Sequence, residues 1–105
     1  MAITRFTTPP IGLLVKGVDI TDAETVYVTI EQGSNEINVP KTSLTMTSAD
    51  SDTQITFSLT QQEAGSLNAT APSFVQVNWI KGGVRYATAI KKVKVFENLY
   101  DEVIS

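Results

Sequence analysis

Neither cysteine nor histidine occurs among the 105 residues. Their absence removes disulfides, thiolate nucleophiles, the usual zinc sites, imidazole acid–base chemistry and haem ligation together. Leucine is scarce, six residues against twenty valines and isoleucines and fourteen threonines. Stiff β-branched side chains dominate, which excludes an all-helical protein. No apolar run approaches the roughly 18 residues a membrane helix needs. The first 16 residues lack the charged-then-apolar layout of a signal peptide, so synthesis is expected in the cytoplasm. Charged residues make up 18% and the net charge is -3. That is the wrong sign for a domain that lives on phosphate contacts, and no nucleic-acid partner is expected. With 42% apolar residues, one two-layer core can form over a single domain, residues 1–105.

The charges are segregated. Residues 17–80 hold eight acids and one base, Lys41, whereas Lys81, Arg85, Lys91, Lys92 and Lys94 follow within 81–96. The plain explanation is lysine on an edge strand, where it discourages further pairing. The other is a basic surface that meets an acidic one.

Pro9 and Pro10 set residues 1–10 apart as an N-terminal arm, with Ile3 to Thr8 a short edge strand. Ile11 to Lys16 reads as a strand. Val26, Val28 and Ile30 alternate with polar neighbours, as do Ile55, Phe57 and Leu59, which places each set on one face of a strand. Ile37 with Val39, and Leu44 with Met46, make two shorter strands. Thr60-Gln-Gln-Glu63 has the capping-box spacing and predicts a helix of about two turns anchored by Leu67. In Lys81-Gly-Gly-Val84 two glycines supply the positive φ angles of a tight hairpin. That register sets Trp79 opposite Tyr86, Val77 opposite Thr88 and Val75 opposite Ile90, all on one face expected to be core. Beyond Ile90 the apolar residues move to odd numbers, Val93 and Val95. Either a β-bulge lies at Lys91-Lys92 or the strand changes sheets there.

Candidate chemistry is sparse. Serine catalysis without histidine needs a lysine or carboxylate base, and neither Ser-x-x-Lys nor Gly-x-Ser-x-Gly occurs. Asp50 and Asp52 start like a calcium loop, but Gln61 stands where the closing glutamate belongs. Asp19, Asp22 and Glu24 form a second acidic turn. No metal, cofactor or catalytic residue is assigned, and the chain is read as a non-enzyme. Tyr27, Phe74 and Tyr100 fall on the less apolar faces and are the expected exposed aromatics. Exposed Tyr27, Trp79 or Tyr100 beside polar groups would suit the alternative function, a carbohydrate-binding or adhesion module.

Eight short strand-like segments and one helix before the last hairpin predict an all-β protein, an antiparallel immunoglobulin-like or fibronectin-like β-sandwich of seven to eight strands. It has no Cys-Trp-Cys core, and Ser73-Phe74 opens the penultimate strand without a tyrosine corner. Val18-Asp-Ile-Thr-Asp-Ala23, Gln54-Ile-Thr-Phe-Ser-Leu-Thr-Gln-Gln-Glu63 and Tyr86-Ala-Thr-Ala-Ile-Lys-Lys-Val-Lys-Val95 resemble the N-terminal domain of upper baseplate proteins of tailed bacteriophages, over most of residues 11–97. The resemblance implies a structural or adaptor protein of a phage or prophage tail or baseplate. Such a protein is located in the virion and has other copies of itself or other virion proteins as partners. It brings no catalytic or ligand residues with it.

Phe96, Leu99, Tyr100, Val103 and Ile104 recur at helical spacing, with Glu97, Asp101 and Glu102 on the other side, so the tail 97–105 reads as a short amphipathic helix. A helix that short must dock on its own sandwich or on a neighbour. The expected interface is Leu99, Tyr100, Val103 and Ile104 of the tail with Lys91, Lys92 and Lys94 of the basic strand.

Overall fold

The computed structural model describes residues 1–105 and contains nine strands and one α-helix. Strand β1 is Ala2–Thr4, β2 Ile11–Val15, β3 Thr25–Gln32, β4 Asn35–Pro40, β5 Thr45–Ala49, β6 Asp52–Phe57, β7 Ser73–Lys81, β8 Val84–Ala87 and β9 Lys91–Phe96; helix α1 is Gln61–Gly65. One sheet runs β1-β9-β7-β3-β4, with β8 also on β7, and the other β2-β6-β5. Between them lies a core of β-branched side chains that includes Val26, Val28, Ile30, Ile55, Val75 and Val77. In immunoglobulin lettering β2, β6 and β5 take the places of B, E and D, and β9, β7 and β3 those of G, F and C. Strand β4 is the extra member found in variable-type domains. The chain is therefore an all-β, immunoglobulin-like sandwich.

Local chemistry accounts for the turns. Gly82 and Gly83 both have positive φ, 60° and 76°, and pair Lys81 with Val84 and Trp79 with Tyr86 as their spacing predicts. The Thr60 hydroxyl accepts from the Glu63 amide at 3.0 Å, and the Glu63 carboxylate accepts from the Thr60 amide at 2.9 Å. The capping box thus starts α1 where expected. Leu67 is fully buried behind it.

The register of the last strand shifts slightly earlier than the sequence suggests. Tyr86 faces Trp79, but the residue facing Val75 is Lys91, so one extra residue is taken up between Thr88 and Lys91. This is the bulge alternative; β8 and β9 both stay on β7. The Thr88 hydroxyl fills the opened ladder by accepting from the Val77 amide at 3.1 Å. Displaced by the extra residue, Ile90 does not oppose Val75 and lies exposed, while Val93 and Val95 return to the core.

Two further expectations are corrected. Trp79 is buried, 7% exposed, but Tyr86 beside it is 47% exposed, because the three-stranded sheet does not reach over β8. Strand β9 is paired on one side at each residue, Lys91–Val93 with β7 and Lys94–Phe96 with the parallel β1. Lys91 and Lys92 therefore border a free side of the strand, as edge protection requires, while Lys94 lies in the half paired with β1. The N-terminal arm supplies β1, and Ile3 is buried in the core. Residues 97–105 contain no helix. A stretch of nine residues gains too few intrahelical bonds to offset nucleation. Asn98 takes the Tyr100 amide with its own side chain at 3.2 Å, a local bond that competes with the helix.

Candidate functional site

The C-terminal tail is held in an irregular course, with bends at Leu99, Tyr100 and Glu102, by polar groups. Gln61 of α1 clamps Ile104 from both sides: its amide nitrogen donates to the Ile104 carbonyl at 3.0 Å, and its oxygen accepts from the Ile104 amide at 2.7 Å. Arg5, just beyond β1, donates through Nη1 to Asp101 at 2.6 Å and to Glu97 at 3.4 Å. Its Nε and Nη2 donate to the carbonyls of Leu67 and Gly65 at 2.6 and 2.9 Å. Asn98 donates to the Arg5 carbonyl at 3.0 Å. With the polar atoms turned inward, Leu99, Tyr100, Val103 and Ile104 are all exposed, Leu99 completely. Sequence reasoning found the four apolar residues but missed Arg5 and Gln61. Their partners lie far along the chain, and the capping box that contains Gln61 says nothing about the tail.

The structure does not bring the tail to the basic strand of its own copy. Lys91, Lys92 and Lys94 are exposed, with Lys94 Nζ 5.2 Å from the centre of the Phe96 ring.

Two of the four concave surfaces bear on binding. The first is an apolar slot along the open side of the sandwich, between β2 and the bulged segment of the other sheet. Leu13, Val15, Val77 and Trp79 form its floor, Ala87 and Ala89 its far wall, and Lys16, Lys91 and Lys92 its rim. Strand β2 pairs with β6 alone, so its other edge is free. Leu14, on that edge, is 43% exposed. The second is a polar cleft on the outer face of the larger sheet, where Tyr27 stands among Glu36, Asn38, Asn78 and Arg85. Asn38 accepts from Thr29 at 2.7 Å and donates to Glu36 at 2.9 Å, and Arg85 donates to Asn78 at 3.2 Å.

The acidic loops are occupied internally. The Asp52 carboxylate accepts from the Gly17 amide at 2.8 Å, and Asp22 pairs with Lys81 at 3.1 Å. Asp19 accepts from the Thr21 hydroxyl at 2.6 Å and the Thr21 amide at 3.0 Å, and from Ser48 at 3.1 Å. These bonds, the Thr21 hydroxyl foremost, hold its carboxyl below the usual aspartate range. A lowered folded-state value stabilises the fold above the unfolded value, and that contribution fades as pH falls below about 4. With no histidine, a melting-temperature profile should be flat across about pH 6 to 8. It should fall only in acid, less steeply in Asp19→Asn; a cooperative step near pH 6.5 would contradict this.

No known sequence family matches the chain, and no curated protein is similar to it. Solved structures do match. A bromine derivative of BhCBM56, a carbohydrate-binding module, is 14% identical with a TM-score of 0.41, covering 79% of this chain and 76% of its own. The swine CD8aa homodimer is 7% identical with a TM-score of 0.45, covering 90% and 91%. Murine CRIg is 11% identical with a TM-score of 0.39, covering 93% and 91%. The fold assignment rests on the strand order of this chain itself.

Proposed function

We propose that this chain is a non-enzymatic structural or adaptor protein of a phage or prophage tail or baseplate, made in the host cytoplasm and assembled into the virion by self-association or docking. The observation that carries the docking role is the tail: four large apolar side chains held outward by a polar scaffold of Arg5, Gln61 and Asn98. Ordering such a segment beforehand lowers the entropy lost on binding. The phage assignment comes from the resemblance of residues 18–23, 54–63 and 86–95.

Sedimentation velocity checks the docking role: the full chain should associate as its concentration rises, and Val103→Asp with Ile104→Asp should leave it monomeric. Equal association of the two proteins would refute a role for the tail. The particle assignment is checked by mass spectrometry of purified virions from a producing strain; absence of the chain from them defeats it.

A second reading, a sugar-binding or adhesion module, is favoured by the Tyr27 cleft. An exposed aromatic face bordered by carboxylate, amide and guanidinium groups is what stacking on a sugar and bonding its hydroxyls requires. On a glycan array the protein should then bind a defined sugar, and Tyr27→Ala should abolish the signal. An array without hits removes this reading.

A further inference from the structure

We infer that the slot along β2 receives the C-terminal tail of a second copy, which adds to the free edge of β2 as a fourth strand of the smaller sheet. The inference rests on the docking role proposed above and identifies the surface that the tail meets.

Three features of the slot define its occupant. First, its near wall is the unpaired edge of β2, Ile11–Val15, a row of backbone donors and acceptors that an extended segment can pair with. Second, β2 is apolar on both faces: Leu13 packs toward the core and Leu14 points outward, exposed. Most edge strands present a polar outer face; this one suits a partner that is apolar on both sides. Third, the rim carries Lys16, Lys91 and Lys92, so the partner should be acidic.

The tail has these properties. Straightened from its bends at Leu99, Tyr100 and Glu102 into a strand on binding, the tail places Tyr100, Glu102 and Ile104 on one side and Leu99, Asp101 and Val103 on the other. Either side brings two apolar groups and one carboxylate. The apolar pair facing inward would cover Trp79 and the alanine wall, with the carboxylate among the lysines. The pair facing outward would lie beside Leu14. Each copy holds its tail at Arg5 and Gln61, away from its own slot. The contact is therefore head-to-tail, one slot taking the tail of the next copy, and propagates into a ring or an open row. Charge complementarity between the tail, with Glu97, Asp101 and Glu102, and the lysine rim sets the direction.

Two full-length variants, each altered only at exposed residues, test this. One closes the slot, Leu14→Glu with Ala89→Glu, and keeps its tail. The other spoils the tail, Val103→Asp with Ile104→Asp, and keeps its slot. By sedimentation velocity each alone should be monomeric, whereas an equimolar mixture should form a one-to-one dimer and nothing larger. A mixture that stays monomeric overturns the inference. If the slot variant associates as fully as the unaltered chain while the tail variant does not, the tail docks elsewhere: the inference fails and the docking role stands. If the unaltered chain is monomeric at every concentration, both fail. In that case, greater acrylamide quenching of Trp79 in the tail variant than in the unaltered chain would show the slot filled by the chain's own tail.

Discussion

Trp79→Ala should destabilise the fold by about 3 to 5 kcal/mol, the usual cost of truncating a buried tryptophan. Trp79 pairs with Val26 on one side and Tyr86 on the other, and its ring stacks on that of Tyr86 with centroids 5.8 Å apart and planes 19° from parallel. Truncation opens a void above Val26 and removes the ring on which Tyr86 stacks. The protein has a single tryptophan, so circular dichroism rather than fluorescence must follow the urea transition. With an m-value of roughly 1 to 2 kcal/mol/M for a domain of this size, the midpoint should fall by more than about 1.5 M. A loss under about 1 kcal/mol would mean that the indole is not part of the core, and so would a solvent-exposed emission maximum in the unaltered protein.

Gln32→Leu is expected to cost about 2 to 4 kcal/mol although the two side chains are similar in volume. Gln32 is buried at the end of β3. Its amide nitrogen donates to the Asn68 carbonyl at 2.6 Å and to the Ser73 hydroxyl at 2.7 Å, and its oxygen accepts from the Asn68 amide at 2.7 Å. These bonds fasten the segment between α1 and β7, the corner where immunoglobulin domains commonly place a tyrosine hydroxyl. Leucine would leave the Asn68 amide and carbonyl and the Ser73 hydroxyl without that partner. Chemical denaturation measures the loss, and hydrogen exchange should quicken first at Asn68. Unchanged stability would show that water replaces the amide without penalty.

What could be read from the sequence was local. Alternation of β-branched residues marked β3 and β6, and short-range chemistry marked the Gly82-Gly83 hairpin and the Thr60–Glu63 cap, because each signal lies within a few residues of its effect. The change of parity from Ile90 to Val93 revealed the bulge but not its place, since Thr88 satisfies the open ladder by a side-chain bond that no periodicity encodes. Tyr86 was expected in the core because pairing with Trp79 fixes its face. Whether that face is covered depends on how many strands the opposite sheet has. The tail misled most: its apolar spacing fits a helix, yet Arg5 and Gln61, contributed by distant segments, hold it in a bent, irregular course. Of the candidate site, the apolar and basic residues could be identified, but the slot could not. It is the space left beside β2, and an empty space has no residues of its own.

The parallel pairing of β1 with β9 bears on how the chain reaches its fold. Ala2 pairs with Lys94, and Arg5 meets Glu97 across 92 residues of sequence. Hairpins such as β3–β4 and β7–β8 can form as soon as their turns exist, but β1 has no strand to join until β9 has been made and seated. Closing so long a loop is entropically slow, and sandwiches rich in such contacts fold in milliseconds to seconds rather than microseconds. Until closure Ile3 and the inner face of β9, Val93 and Val95, remain uncovered. During synthesis the nascent domain is thus most vulnerable to mispairing in the interval between completion of β7 and arrival of β9, and prolines 9 and 10 limit that hazard by keeping the waiting first strand from extending into β2 as one long adhesive segment.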